Sequence, residues 1–322
     1  MTTTRKNVLV FRELPPDQLA RLQAAHEVTV ADPRRPGQLP AFLAARPAAQ
    51  GLIGSSFRID GAVLAQAPRL EVISSISVDV DNYELPALRQ RGIMLCHTPG
   101  VLTETSADTI FALVMATSRR LVELALHVRE GHWTRNIGES MYGWDVRGKT
   151  LGILGFGRIG QALARRGALG FGMPVLYHNP FAVEVPGLGA RATHVSMDRL
   201  LREADIVAAT LPLTDATRGL MGPEQFAAMK AGAIFVNGSR GAIVQEEALL
   251  AVLDAGRLRA AGLDVFAVEP LPQDSPSRLH PRVTALPHVG SATHETRYAM
   301  ARRATSNLLQ GLVGLRPAAV VE

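Results

Sequence analysis

The chain has very little cysteine, with Cys96 alone among 322 residues. A disulfide within the chain is therefore impossible, which is typical of proteins that work in a reducing compartment. Long apolar runs are missing too. No stretch is long enough to cross a bilayer, and the run at 8–11 is too short for the hydrophobic segment of a signal peptide. We expect a cytoplasmic protein without a membrane partner.

An excess of charge of one sign is also lacking. Lys and Arg number 34 and Asp and Glu 29, a net charge of +5, and no block of five like charges occurs. This balance has no basic footprint of the kind that nucleic-acid-binding proteins carry, so no nucleic-acid partner is expected. Hydrophobic residues make up 47% of the chain, enough for a full core, and the length predicts about two domains.

Short apolar runs alternate with amphipathic stretches in two halves of the chain. In the first half we predict strands at 7–11, 27–30, 51–54, 71–76 and 93–96, with helices at 17–24, 38–45, 60–65 and 82–91. In the second half we predict strands at 150–154, 174–178, 205–210, 233–237, 260–264 and 283–286. Apolar strands separated by helices are typical of parallel sheets covered on both faces, so the fold class is α/β.

Two further helices are predicted to connect these halves. One, over 103–130, leads from the first half to the second, and another, over 293–312, leads back. Between the halves, the segment 132–146 holds both tryptophans and two glycines. We interpret this segment as an irregular excursion and a candidate interface.

A glycine-rich turn follows the first strand of the second half. Gly155, Gly157 and Gly160 form G-x-G-x-x-G between that strand and a helix start. The first glycine permits a tight turn, the second lets the backbone approach a pyrophosphate, and the third lets the helix pack on the strand. The phosphates would sit at the helix N-terminus, where free N–H groups favour anions. A turn without a ligand is the alternative, which the flanking strand and helix disfavour.

The residue that faces the adenosine ribose is expected about 20 residues after this turn. Asn179 occupies that place, at the end of the next predicted strand. An acidic residue there would select NAD, whereas Asn179 carries no charge to repel a 2′-phosphate. The sequence favours NADP and leaves NAD open. Arg158 and His178 are candidate partners for the phosphate.

Polar residues follow three more strands of the second half. Arg240, Asp264, Glu269 and His288 stand after strands whose carboxyl ends should converge on a ligand. Histidine can donate a proton to a developing alkoxide, and a carboxylate on its other ring nitrogen stabilises the charged form. A guanidinium can hold a substrate carboxylate at two points. Taken singly, each residue can equally be a surface or turn residue.

These segments are similar to those of the D-isomer-specific 2-hydroxyacid dehydrogenase family. The shared motifs are the glycine turn, N-G-S-R-G at 237–241, D-V-F-x-x-E-P at 264–270 and P-H-V-G-S-A at 287–292. V-L-T-E-T-S-A-D at 101–108 and S-A-T-H-E-T-R-Y at 291–298 resemble the branch of glyoxylate/hydroxypyruvate reductase B and 2-ketogluconate reductase. The resemblance covers nearly the whole chain.

The resemblance implies a fold and a mode of assembly. Two doubly wound parallel-sheet domains are expected, with the active site in the cleft between them. One is a flavodoxin-like substrate domain of residues 1–100 plus 290–322, and the other a Rossmann nucleotide-binding domain of residues 101–289. A homodimer is implied as well, with the excursion at 132–146 as its inter-subunit arm.

The resemblance also implies residue roles. His288 would be the proton donor, Glu269 its partner, and Arg240 the anchor of the substrate carboxylate and carbonyl. Asp264 would hold the nicotinamide carboxamide. The other implied cofactor contacts are Thr105, Arg158, Ile159 and Gly290. No metal site is predicted.

One loop departs from the family pattern. The family usually has S-V-G-x-D, whose backbone N–H groups bind the substrate carboxylate, whereas this chain has Asp79 in place of the glycine, after Val78. Val78 and Asp79 are the expected substrate-binding positions. Asp79 adds negative charge near an anion site, and its backbone is less free than that of glycine. It either points away harmlessly, weakens the binding of small keto acids or selects an unusual substrate.

Three functions follow from these patterns. The first is reduction of glyoxylate, hydroxypyruvate or 2-ketogluconate to a D-2-hydroxy acid. The second is a dinucleotide-sensing scaffold, like the family relatives that act as transcriptional corepressors. The third is a family dehydrogenase with a different substrate, such as formate or phosphonate, although formate enzymes of the family place a glutamine where Glu269 stands.

Overall fold

The computed structural model describes residues 4–321, which divide into two compact units. The first unit ends at Leu102 and resumes at Ala292, and the second runs from Thr103 to Ser291. Both boundaries fall two residues later than those expected from the sequence. Each unit contains one sheet, and every strand pair in both sheets is parallel. The predicted α/β class with two doubly wound sheets is confirmed.

The first unit contains a five-stranded sheet. Its strands are β1 (Asn7–Val10), β2 (Glu27–Val30), β3 (Gly51–Gly54), β4 (Val72–Ser75) and β5 (Met94–Cys96). Its helices are α1 (Pro16–Ala25), α2 (Leu39–Ala45), α3 (Gly61–Ala65), α4 (Leu85–Gln90) and, near the C-terminus, α12 (His294–Leu312). The strand order is β2-β1-β3-β4-β5, the flavodoxin-like order, which reverses direction between β1 and β3.

Helix α12 belongs to the first unit because its buried face covers that sheet. Ser74 in β4 donates a hydrogen bond to the carbonyl of Ala304 at 2.8 Å. A side chain at Gly51 in β3 would meet Leu312 at 3.0 Å, so the glycine lets the helix lie close to the strand. Packing of α12 against β3 and β4 therefore returns the end of the chain to the first unit.

The second unit contains a seven-stranded sheet. Its strands are β6 (Leu151–Leu154), β7 (Val175–His178), β8 (Ala192–His194), β9 (Ile206–Ala209), β10 (Ile234–Asn237), β11 (Ala260–Leu263) and β12 (Val283–Ala285). Its helices are α5 (Thr103–Ser118), α6 (Leu121–Arg129), α7 (Arg158–Arg165), α8 (Met197–Glu203), α9 (Pro223–Ala228), α10 (Glu246–Asp254) and α11 (Pro276–Leu279). The order β12-β11-β10-β9-β6-β7-β8 is the dinucleotide-binding order with one strand added at the edge.

The predicted single helix over 103–130 is wrong. Helix α5 ends at Ser118, and Arg120 adopts a left-handed φ of 56° before α6 begins. The following segment returns to this break: Trp144 donates its N–H to the carbonyl of Ser118 at 2.9 Å, and Arg120 donates to the carbonyl of Ser140 at 2.6 Å. Non-local hydrogen bonds therefore override a continuous helical pattern.

Two smaller differences concern element limits. Helix α4 starts at Leu85 rather than 82, because Pro86 is favourable only in the first turn of a helix. The edge strand β8 was not predicted, since it has only three residues and none of them is buried. Among residues 4–321, no helix has the length and apolarity needed to cross a membrane.

Candidate functional site

The glycine turn of the second unit joins β6 to α7. Gly155 has a φ of +90°, and a side chain there would lie 2.9 Å from the backbone nitrogen of Leu211. A side chain at Gly160 would lie 2.3 Å from the carbonyl oxygen of Gly155. Thr210 donates a hydrogen bond to that same carbonyl at 2.5 Å. Both glycines are therefore required by the close approach of the helix to the turn.

Gly157 has a different environment. It is exposed at the start of α7, with a φ of −74°, and a side chain there would meet nothing within 4 Å. The open space lies at a helix N-terminus, where unpaired N–H groups and the helix dipole favour anions. Beside it, the exposed Arg158 side chain makes no hydrogen bond or ion pair with any residue of 4–321. This turn therefore fits a bound pyrophosphate.

Asn179 follows β7 and is tied to the glycine turn. Its Oδ1 accepts the N–H of Phe156 at 3.3 Å, and its Nδ2 donates to the carbonyl of Phe181 at 3.2 Å. The preceding His178 uses Nδ1 for a 3.1 Å hydrogen bond with the carbonyl of Val195. An uncharged amide therefore stands where a dinucleotide ribose is expected, and the imidazole beside it has one nitrogen already engaged.

Asp264 follows β11 and is almost fully buried, with 2% of its surface exposed. Its two carboxylate oxygens accept the N–H groups of Val289 at 2.7 Å and Gly290 at 2.8 Å. Burial raises the pKa of Asp264, and these hydrogen bonds and the nearby His288 oppose the rise. The sequence predicted a contact with the nicotinamide for this residue. Its hydrogen bonds show that Asp264 also holds the turn after β12 in place.

The turn that Asp264 holds carries His288. This residue has a φ of 55°, one of three left-handed non-glycine residues within 4–321. Such a conformation costs on the order of 1–3 kcal/mol, so the surrounding contacts must impose it. The ring Nδ1 lies 2.7 Å from Oε2 of Glu269, and 44% of the side chain is exposed. With Nδ1 occupied by the carboxylate, Nε2 is the ring nitrogen left to act on a ligand.

Glu269 is ionised in this setting. Burial raises its pKa, but the hydrogen bonds from His288 and from the Phe266 N–H, with the charges of His288 and Arg240, lower it below the usual value. The Phe266 N–H donates to Oε1 at 3.0 Å, so each oxygen of the carboxylate has its own partner. A carboxylate fixed in this way stabilises an imidazolium beside it.

Arg240 is positioned by the turn after β10. Oδ1 of Asn237 accepts the N–H of Ser239 at 3.1 Å, and its Nδ2 donates to the carbonyl of Arg240 at 3.0 Å. A side chain at Gly241 would lie 1.8 Å from the backbone of Phe266, so this turn and the turn that carries Glu269 are in direct contact. The structure thus brings Arg240, Asp264, Glu269 and His288 together at the carboxyl ends of three neighbouring strands.

Two supporting residues were not predicted. Thr109 in α5 donates both to the carbonyl of Thr105 at 3.1 Å and to that of Gly290 at 3.4 Å, which links two of the predicted cofactor residues. Glu246 at the start of α10 accepts the N–H of Ala267 at 2.8 Å and so fixes the segment before Glu269. In the sequence these two residues are only a threonine and a glutamate within predicted helices. Such residues are common in helices, so nothing in the sequence marked them as supporting residues.

The predicted substrate loop lies after β4 in the first unit. Nδ1 of His97 lies 2.8 Å from the carbonyl of Val78, and the N–H of Thr98 donates to the carbonyl of Ser77 at 2.9 Å. Within residues 4–321 the non-glycine residues with positive φ are Ser56, Arg120 and His288. Asp79 is not among them, so its backbone does not adopt a conformation that requires glycine. The added negative charge remains the difference that matters there.

Comparisons with known proteins agree with this geometry. Residues 111–290 match the profile of the D-isomer specific 2-hydroxyacid dehydrogenase, NAD binding domain. Glyoxylate/hydroxypyruvate reductase B of Klebsiella pneumoniae is 49% identical over 314 residues, which cover 96% of each chain. The chain belongs to the D-isomer-specific 2-hydroxyacid dehydrogenase family. It is thus an oxidoreductase with a dinucleotide-binding unit, as the motifs predicted.

Two solved structures resemble nearly the whole chain. A Thermus thermophilus protein has a TM-score of 0.90 and 44% identity, covering 98% of this chain and 100% of its own. The NADPH-dependent glyoxylate/hydroxypyruvate reductase of Sinorhizobium meliloti was solved with NADP and malonate. It has a TM-score of 0.86 and 29% identity, covering 99% of this chain and 97% of its own. These relatives extend the family assignment to both units.

Alanine at two glycines of the turn should separate folding from dinucleotide binding. Gly160→Ala places a methyl group against the Gly155 carbonyl and should lower the free energy of unfolding by about 1–3 kcal/mol. In Gly157→Ala the added methyl group contacts no protein atom, so the free energy of unfolding should not change. The methyl group would occupy the space proposed for the pyrophosphate, so dinucleotide affinity should fall about tenfold or more, which corresponds to about 1.4 kcal/mol. Chemical denaturation and quenching of protein fluorescence by NADPH measure the two effects. The exposed Gly170→Ala, also with open space around it, is the control and should change neither.

Proposed function

We propose that this protein reduces small 2-keto acids to D-2-hydroxy acids with NADPH. The observation that carries the proposal is the 2.7 Å hydrogen bond between His288 and Glu269, with the charge of Arg240 close enough to lower the pKa of that carboxylate. When bound, the reduced nicotinamide supplies the hydride. The chain supplies a proton donor, an anion anchor and fixed charges around them.

His288 is the proposed proton donor. Its Nδ1 is held by Glu269, which leaves Nε2 to protonate the alkoxide oxygen that forms when a ketone accepts hydride. The ionised carboxylate stabilises the imidazolium before the transfer. The ring is partly exposed, so a ligand can reach it. In the oxidative direction the neutral ring would take the proton back from the hydroxyl.

Arg240 is the proposed anchor of the substrate carboxylate and carbonyl. A guanidinium presents parallel N–H groups that match two oxygens, and this fixes the keto acid in one orientation. We propose that the N–H groups of Val78 and Asp79 add to carboxylate binding. The Val78 N–H donates to no acceptor within residues 4–321, which leaves it available for a ligand.

Glyoxylate and hydroxypyruvate are the proposed substrates. The relatives from Klebsiella pneumoniae and Sinorhizobium meliloti are named for these two acids, and the first is similar over nearly its whole length. Both acids have a carboxylate next to a carbonyl group. An arginine can bind the carboxylate, and an imidazole can donate a proton to the carbonyl oxygen. 2-Ketogluconate stays a third candidate, since its branch shares the same sequence motifs.

NADPH is the proposed reductant, with NADH as the alternative. Asn179 carries no charge to repel a 2′-phosphate, and the unpaired Arg158 stands at the glycine turn. The Sinorhizobium meliloti relative is described as NADPH-dependent and was solved with NADP. The net positive charge of the chain also favours the more anionic cofactor.

A homodimer is the proposed assembly. Helix α6 has no buried residue, and it exposes Leu121, Val122, Leu126 and Val128. Trp133, in the segment that follows, is 61% exposed. A contiguous set of exposed large apolar side chains marks an interaction surface. The segment 132–146, expected from the sequence to be an arm, lies next to that helix in the chain.

A panel of 2-keto acids tests the proposed reaction. The protein with NADPH should oxidise the cofactor in the presence of glyoxylate or hydroxypyruvate, measured as loss of nicotinamide absorbance. His288→Gln should lower the rate by about 10²–10⁴-fold, the usual contribution of a positioned acid. His280→Gln is the matched control because it removes another histidine–carboxylate pair, with Asp254 at 3.2 Å. A panel without turnover on either cofactor would refute the reductase proposal.

The pH dependence of the rate should depend on Glu269. Its lowered pKa keeps it negative at all pH values above its own titration, and Glu269→Gln removes that charge. The imidazolium then has no carboxylate beside it, so the rate of reduction should fall about tenfold or more. In the wild type this loss should appear only as the pH falls through the lowered pKa of Glu269, whereas in Glu269→Gln it should be present across the whole pH profile. Glu247→Gln, which removes an exposed carboxylate of α10, should leave the profile in place.

Cofactor preference should depend on position 179. Asn179→Asp keeps an oxygen for the Phe156 N–H and adds a charge that repels a 2′-phosphate and accepts hydrogen bonds from a free ribose. The ratio of kcat/KM for NADPH to that for NADH should fall about 10–100-fold, or roughly 1.4–2.7 kcal/mol. Gln310→Glu adds the same charge on the exposed face of α12 and should leave the ratio unchanged. If the ratio of the two kcat/KM values did not change in Asn179→Asp, residue 179 would not determine the cofactor preference.

A further inference from the structure

A half-buried arginine stands at the point where the first sheet reverses its strand order. Arg12 lies two residues after β1, and Ser55 and Ser56 directly follow β3, the strand beside it. Because the order is β2-β1-β3-β4-β5, the loops after β1 and β3 leave in opposite directions and open a crevice between them. Ligands of open α/β sheets bind in such crevices, at the carboxyl ends of the strands.

The contacts of Arg12 join the two sides of this crevice. Its Nη1 donates to Oγ of Ser55 at 2.6 Å and to Oγ of Ser56 at 3.3 Å. Ser55 is 3% exposed, whereas Ser56 is exposed and adopts a left-handed φ of 59°. A serine rarely adopts this conformation, so the surrounding contacts must hold it. The backbone is thus held so that both hydroxyls face one guanidinium.

The positive charge of Arg12 has no carboxylate partner. Within residues 4–321 it makes no ion pair, and Asp32, the acid whose charge acts on it, is held by Arg34 through hydrogen bonds of 2.9 Å and 2.7 Å. Burial lowers the pKa of Arg12, and the charges of Arg297 and Arg34 lower it further, against a smaller opposite effect of Asp32. The guanidinium of Arg12 is therefore the charge at this crevice that no carboxylate of residues 4–321 pairs with directly.

Several donors at the crevice are also unused. Both serine hydroxyls accept from Arg12, and neither donates its own hydrogen to another group within residues 4–321. Nε and Nη2 of Arg12 make no hydrogen bond there, and the N–H groups of Ser56 and Phe57 find no acceptor. If Arg12 only linked the two loops, one hydrogen bond between uncharged groups would be enough. Convergent donors around an unbalanced cation are what an oxyanion requires.

We propose that Arg12, Ser55 and Ser56 form a binding site for a phosphate or carboxylate group. The guanidinium supplies the charge and two unused nitrogens, and the hydroxyls supply two further donors. The anion can come from two sources: the distal group of a 2-keto acid substrate, or a free inorganic or organic anion that binds by itself. The first source rests on the proposed reductase function, and the second does not.

Isothermal titration with sodium phosphate at constant ionic strength tests the site itself and needs no turnover. Wild-type protein should show a saturable component that sodium chloride does not give, and Arg12→Gln should weaken it about tenfold or more, which corresponds to about 1.4 kcal/mol. Ser56→Gly should weaken it too, although glycine suits the left-handed backbone and cannot strain it. Arg35→Gln removes an equal charge from an exposed pair with Glu13 and should leave the component intact.

A kinetic comparison then identifies the source of the anion. The ratio of kcat/KM for 3-phosphohydroxypyruvate to that for hydroxypyruvate should fall at least tenfold in Arg12→Gln and stay constant in Arg35→Gln if the site receives the distal group of a substrate. A constant ratio, with the phosphate component still lost in Arg12→Gln, assigns the site to a free anion. Equal phosphate binding by Arg12→Gln and wild type, or no saturable component in the wild type, overturns the proposal whether or not the protein is a reductase.

Discussion

The geometry of the candidate site depends on the buried carboxylate of Asp264. Its two oxygens accept the N–H groups of Val289 and Gly290, and so they join the end of β11 to the turn after β12. These bonds help to hold His288 at its left-handed φ, a conformation that is unfavourable for a histidine. The same two acceptors satisfy N–H groups that the turn itself leaves unpaired, which limits the cost of burying a charge.

The charges around His288 are arranged so that one carboxylate stays ionised. Burial raises the pKa of both Asp264 and Glu269, but only Glu269 has an imidazole hydrogen bond and an arginine nearby to outweigh it, and its pKa is lowered. The buried Asp264 and the more exposed Glu269 therefore have different tasks. Asp264 is set up to fix the backbone, and Glu269 is set up to hold a charge opposite His288 and Arg240.

The sequence predicted this arrangement well where local chemistry decides it. The glycine turn, the α/β alternation and the four residues at strand ends need only spacing and strand polarity, and the structure brings them together. The break between α5 and α6 was missed because a carbonyl of α5 is paired with Trp144, far along the chain. Thr109 and Glu246 were missed for a related reason: their roles depend on backbone groups of distant loops, which no periodicity encodes.

The two proposed anion sites lie at the same kind of place in their sheets, and their chemistry differs. In the second unit the strand order reverses beside β6, and the turn there offers backbone N–H groups and a helix dipole, with Gly157 keeping the space open. In the first unit it reverses beside β1, where α1 starts with two prolines, Pro15 and Pro16, which have no N–H to donate. An arginine and two hydroxyls therefore replace the helix terminus as the source of donors. A side chain carries a full charge that a helix end lacks, so this crevice should discriminate between anions by charge, whereas the glycine turn discriminates by shape.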